Sequence, residues 1–194
     1  MTEPIGPCSA GINRAQLLRA TAAAALSAAL GPGALAATAG AQGGKMLTRK
    51  IPSTGELLPV VGCGTWQGFG HAPGSAEYAR LPGVVEALFD AGGTVLDSSP
   101  MYGRSEKTTG ELLVKSNHGT KAFLATKVWT SGREAGIRQM EASMSLLGTN
   151  KLDLMQVHNL VDWQTHLATL REWKKQGKVR YVGITHYTLS LIHI

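Results

Sequence analysis

Five short apolar runs, each closing on one polar side chain and separated from the next by a stretch of helical spacing, restrict this fold more than any other feature of the chain. The runs occupy residues 60–65, 94–97, 123–127, 152–158 and 179–185, and they end in Thr65, Asp97, Lys127, His158 and Thr185. Between them, Val84, Val85, Leu88 and Phe89 give a helical face to residues 81–90. A second helix is predicted from Ser105 through Leu113. A third is predicted behind a Ser131 cap, with Ile137, Met140, Met144 and Leu147 on its apolar side. A fourth covers residues 163–176 and stops at Gly177. Ahead of the first run, residues 46–58 hold two β-prone segments around Ser53, Thr54 and Gly55, the pattern of a β-hairpin.

Strands that alternate with helices over short connections make a parallel sheet. Two architectures compete for it. An open doubly wound sheet advertises a glycine-rich phosphate loop after its first strand. Here Gly62-Cys63-Gly64 lacks the third glycine and the helix that should follow it. A β/α barrel instead gathers its strand C-termini on one face, where active sites sit. Polar residues at five successive strand ends fit that arrangement. Of the 194 residues, 43% are hydrophobic and 16% charged, enough apolar material for a packed core.

The ends of the chain read differently. Residues 1–41 form an export-like leader: Arg14 and Arg19 precede an uncharged stretch rich in Ala and Leu, with small residues suited to cleavage at its end. Gly31-Pro32-Gly33 interrupts the stretch and argues against a stable membrane-spanning helix. Residues 13–19 resemble a twin-arginine export motif in which Ala15 replaces the second arginine. The expectation is a periplasmic protein, or a cytoplasmic one if the leader does not function, with residues 46–194 as the folded domain and no membrane insertion once the leader is removed. Cys8 and Cys63 are the only cysteines; they provide no disulfide framework, and no Cys/His cluster suggests a metal. The net charge of +6 comes without a Lys/Arg-rich run. This favours a phosphate-bearing small molecule over nucleic acid, beside the alternative of a merely solvated basic surface.

Asp97, Tyr102, Lys127 and His158 form a chemically coherent set. A phenol is a weak acid near neutrality, and a neighbouring cation favours its ionised form. Lys127 supplies a cation, Asp97 a partner that keeps it charged, and His158 a donor to orient a substrate oxygen. Such a group suits proton transfer to an oxygen while another event occurs at the adjacent carbon. Hydride addition to a carbonyl is such an event, and because no side chain carries hydride it needs a nicotinamide. Taken singly, each residue also has an ordinary structural explanation; their order on successive strands is what joins them.

At these positions the chain resembles the aldo-keto reductase family. Asp97-Ser98-Ser99-Pro100-Met101-Tyr102-Gly103-Arg104-Ser105-Glu106 resembles the stretch that carries the family's Asp and Tyr. Ala125-Thr126-Lys127-Val128 resembles its Lys strand, and residues 152–159 resemble its His strand. Gly64-Thr65-Trp66 and residues 177–184 resemble its first and fifth strands, so the likeness runs from Met46 to Tyr187. It implies a (β/α)8 barrel of the TIM type with an N-terminal hairpin, here cut off after about five β-α units. It implies NADP(H), with NAD(H) left open, a small carbonyl substrate, no metal, and a monomer at full length. In its terms Tyr102 is the general acid, Lys127 tunes it, Asp97 partners Lys127, and His158 orients the carbonyl. Trp66 lines the substrate pocket with Tyr102 and His158, and Thr65, Asp97, Thr185 and His186 meet the cofactor. Thr185-His186 stands where the family has Ser-Asn for the nicotinamide carboxamide. The expected function is reduction of aldehydes or ketones. The alternatives are a fragment without activity or a binding subunit with the reductase fold.

Overall fold

The structure, a computed structural model, describes residues 46–187. The leader and the residues after Tyr187 lie outside the described residues. The predicted hairpin is present. β1 (Thr48–Lys50) and β2 (Leu57–Pro59) pair antiparallel with Arg49 opposite Leu58. The turn closes where Ile51 N donates to Glu56 O at 2.8 Å, and Gly55 takes a φ of +75° that a side chain would strain.

Five parallel strands follow. They are β3 (Cys63–Gly64), β4 (Val95–Asp97), β5 (Phe123–Val128), β6 (Leu152–His158) and β7 (Val179–Thr185). Four helices alternate with them: α1 (Ala76–Asp90), α2 (Ser105–Ser116), α3 (Arg133–Leu147) and α4 (Trp163–Lys175). Spatial order equals chain order, β3-β4-β5-β6-β7. A doubly wound sheet reverses direction at a switch point; this one never does, which is how a β/α barrel winds.

Register fixes what each face carries. Asp97 pairs with Ala125, Ala125 with Leu154 and Leu154 with Tyr181; Lys127 pairs with Gln156, and His158 with Thr185. Because side chains alternate along a strand, Asp97, Lys127, Gln156, His158 and Thr185 share one face. The other face presents Leu96, Leu124, Val128, Met155 and Val157 to the helices, where they pack with Leu113, Met140, Met144, Leu147, Leu170 and Trp173. Each large apolar side chain buried there contributes about 1.5–3 kcal/mol. The helices approach closely: a Cβ at Gly110 of α2 would clash with the Leu146 carbonyl of α3.

Three expectations need correction. The first run is not a buried six-residue strand. Only Cys63 and Gly64 pair, and Val60 and Val61 are exposed, because β3 is at the sheet's edge and has β4 alone as neighbour. The first helix begins at Ala76 rather than Leu81. Ser75 caps it by accepting from Tyr78 N at 3.1 Å, and the helix runs on through Pro82. Ser131 is not the cap of α3. Gly132 occupies that position at φ +88°, and its N–H donates to Asp162 Oδ2 at 2.7 Å, so the acceptor comes from the turn before α4.

Candidate active site

The ends of β4 to β7 bring Asp97, Lys127, His158 and Thr185 to one rim, and the turn after β4 adds Tyr102. That turn is held from within. Tyr102 N donates to Ser99 O at 3.1 Å, and Ser105 Oγ donates to Tyr102 O at 2.8 Å. Gly103 supplies a φ of +61° between them. Beneath it, Thr65 Oγ1 donates to Ser98 Oγ at 2.9 Å and lies near Asp97 O at 3.1 Å. Thr65 is fully buried, so the structure places this expected cofactor contact under the rim, as a strut for the turn, not on the open surface.

Lys127 is the buried charge at the centre. Its Nζ donates to Asp97 Oδ2 at 2.6 Å and to the Ser98 carbonyl at 2.7 Å. The same nitrogen stands 5.0 Å from the centroid of the Tyr102 ring. Lys127 has 4% of its side chain exposed against 36% for Asp97, so the cation is enclosed while its partner reaches solvent. A buried ammonium without such partners would shed its proton; here two oxygens meet it, and one is charged.

His158 completes the group. Its Nδ1 lies 2.8 Å from Thr185 Oγ1, and its ring meets Trp129 edge-on at 6.0 Å. Burial holds its pKa below the usual imidazole value, and the charges of Lys127 and His186 add to this against the opposing pull of Asp97. The imidazole is therefore neutral near neutral pH. Trp66, exposed, tilts toward Tyr102 with ring centroids 6.4 Å apart. His186 stacks on Tyr187 at 5.8 Å.

Three partners of this group went unread in the sequence. Gln156 is buried and its Nε2 donates to Asp97 Oδ1 at 3.0 Å, so both carboxylate oxygens are engaged. Period two along β6 puts Gln156 on the face of His158, a signal the sequence does contain. Trp129 follows Lys127 by the same spacing. The Ser98 carbonyl carries no sequence signal, since any residue would provide it. Among the described residues no cluster of His, Cys, Asp and Glu could hold a metal.

The chain is similar to known proteins. The profile described as the aldo/keto reductase family matches residues 60–193. Methylglyoxal reductase YeaE of Escherichia coli (strain K12) is 33% identical over 149 residues, which cover 73% of this chain and 50% of that protein. Aldo-keto reductase YhdN of Bacillus subtilis (strain 168) is 27% identical over 155 residues, covering 72% and 47%. An aldo/keto reductase from Klebsiella pneumoniae, solved in complex with NADP and acetate, superposes with a TM-score of 0.60 at 26% identity, covering 70% of this chain and 48% of that one. The thermostable aldo-keto reductase Tm1743, solved with the inhibitor epalrestat, superposes at 0.63 and 25% identity, covering 75% and 56%. The chain spans about half the length of the curated relatives it matches.

Proposed function

The chain belongs to the aldo/keto reductase family, and from that premise we propose that it serves the NADPH-dependent reduction of small aldehydes or ketones to alcohols, with Tyr102 as proton donor. The observation that carries this reading is the buried Lys127, bonded to Asp97 and 5.0 Å from the Tyr102 ring, beside a neutral His158. The donor set fits a nicotinamide. Tyr102 and His158 can hold and deliver protons, but neither can deliver hydride. When bound, the nicotinamide supplies the hydride that adds to the carbonyl carbon.

The chain's own residues do the rest. The Tyr102 hydroxyl gives its proton to the carbonyl oxygen as the C=O π bond breaks, so the product is the neutral alcohol. Lys127 faces the phenolate that remains, and solvent returns the proton. Asp97 and the Ser98 carbonyl hold the Lys127 Nζ in place. His158 donates to the same carbonyl oxygen and fixes its direction. Trp66 beside Tyr102 and Trp129 beside His158 offer apolar surface at the rim, which suits a small carbonyl compound. Thr185 and His186 stand at the end of β7 where the carboxamide would be held.

Tyr102→Phe tests the proton donor. We expect kcat for aldehyde reduction to fall by about 10²–10⁴-fold, the usual share of general acid catalysis, with unfolding unchanged. Undiminished turnover would refute the assignment. The half-length match favours a second reading, in which these 194 residues alone encode the proton-transfer group and hold NADPH weakly. Fluorescence titration with NADPH separates the two, since tight saturable binding excludes the second.

A further inference from the structure

Thr185 is expected from the sequence to serve the cofactor, yet in the structure its hydroxyl meets His158 Nδ1 at 2.8 Å. The contact is built into the sheet. His158 and Thr185 are register partners across β6 and β7, and Asn159 N donates to Thr185 O at 2.7 Å. Backbone is therefore pinned on both sides of it. Threonine is β-branched and stiff about χ1, so its hydroxyl is held near the ring with little freedom.

That hydroxyl can donate to Nδ1 or accept from it, and the side it takes goes with where the imidazole keeps its proton. The neutral ring carries a single N–H, on one nitrogen or the other, and the bond made by one nitrogen sets the state of the second. If Nδ1 holds the proton, Nε2 can only accept, and a carbonyl oxygen, itself only an acceptor, gains nothing from it. If Nδ1 accepts, Nε2 holds the proton and can donate. A hydroxyl is able to supply that hydrogen to Nδ1; a backbone carbonyl in the same place would force the opposite state.

We propose that Thr185 is a positioning residue that donates its hydroxyl hydrogen to His158 Nδ1 and thereby keeps the imidazole proton on Nε2, ready for a carbonyl oxygen. The inference gives a cause to the role of His158 and, for its use in catalysis, rests on the reductase reading. It leaves the lone pairs of the Thr185 oxygen able to accept from a carboxamide N–H, so the expected cofactor contact and the observed one are compatible.

The test is nitrogen-15 NMR of the histidine-labelled 194-residue chain without cofactor, above the usual imidazole range. The His158 ring signals are identified by their loss in His158→Gln. We expect a protonated Nε2 and an unprotonated Nδ1 in the native chain. In Thr185→Val, which keeps the shape and removes the hydroxyl, the two ring nitrogens should move toward averaged shifts. Thr185→Ser should restore the native pattern. A native spectrum with the proton on Nδ1 overturns the proposal, and needs no variant to fold. So does a Thr185→Val spectrum identical to the native one. The reductase reading fails separately: a chain that reduces no carbonyl yet shows the Nε2 proton lost in Thr185→Val and regained in Thr185→Ser supports the proposal and removes the reading.

Discussion

The two ends of the parallel sheet both carry ion-paired charge, half-buried at one and enclosed at the other, and they use it differently. At the N-terminal end, Arg180 bridges Glu56 from the hairpin turn and Asp153 of β6, the latter at 2.6 Å. The Tyr181 hydroxyl joins Glu56 and reaches Thr54 Oγ1 at 2.8 Å. One guanidinium thus meets two carboxylates, and the contacts tie segments more than a hundred residues apart. At the C-terminal end, Lys127 meets one carboxylate and one carbonyl from the end of β4, and stands 5.0 Å from the centre of the Tyr102 ring. The first arrangement closes a fold. The second holds a positive charge next to a group that can lose a proton.

The largest expected effect breaks the second arrangement. Lys127→Met keeps the length of the side chain and removes its charge. Turnover of an aldehyde should fall about 10²–10⁴-fold, as when a proton donor loses its partner. Stability should suffer less than the ~3–5 kcal/mol of a fully enclosed broken pair, because Asp97 reaches solvent and keeps its bond from Gln156. Steady-state kinetics and urea unfolding read the two consequences independently. A large loss of stability with turnover retained would make Lys127 a structural charge and erase the contrast between the two ends.

The opposite result is expected at the other end. Arg180→Met leaves Glu56 and Asp153 facing each other without their cation. We expect a loss of about 1–3 kcal/mol in urea unfolding, the cost of stranding partly buried polar groups, with turnover per folded molecule within about twofold. Arg180 first, and then Tyr181, hold the Glu56 carboxyl below its usual range. A depressed carboxyl stabilises the fold above its unfolded value, and that stability is lost as pH falls through the folded value. Stability should therefore decline at acid pH more steeply in the native chain than in Arg180→Met. Parallel pH profiles would show that the bridge contributes nothing.

The contrast between the ends was only half legible in the sequence. The rim could be read because its side chains close apolar runs: a strand that stops at Lys127 or His158 marks both the element and the residue. The parallel order could be read because helices separated every pair of strands. The floor could not. Glu56, Asp153, Arg180 and Tyr181 are ordinary polar residues in local sequence, and only closure of the hairpin onto β7 brings them together. Caps failed for the same reason. Ser75 is a local cap without a strong apolar pattern after it, and the acceptor for Gly132 comes from Asp162, thirty residues on. Thr65 was found, but its second task was not, since a strand-end hydroxyl reads alike whether it faces the rim or props the turn beneath it.

A second fully buried charge belongs to neither end and gives the smallest prediction. Glu106 on α2 is nearly inaccessible between sheet and helices, accepting from Thr126 Oγ1 at 2.5 Å and from Ser143 Oγ at 3.1 Å. Burial raises its pKa, although the two hydroxyls and the charge of Lys127 pull it down. A raised carboxyl favours the fold below the unfolded carboxylate range, and that contribution is lost as pH rises through the folded value. Near neutrality the ionised form is a burden that the hydrogen bonds offset in part. Glu106→Gln removes the ionisation and keeps the shape. Its oxygen can accept from one hydroxyl, but its NH₂ must face the other, which has to turn and accept. Ser143 can turn its hydrogen to a carbonyl of the preceding helical turn. We expect Glu106→Gln to raise stability at neutral pH by up to ~1 kcal/mol and to lose that gain at acid pH. Urea unfolding at the two pH values reads the difference. A variant weaker than the native chain at both would show that Glu106 is needed as a double acceptor. The middle of the sheet would then rely on a fully buried charge, where the floor has only half-buried ones.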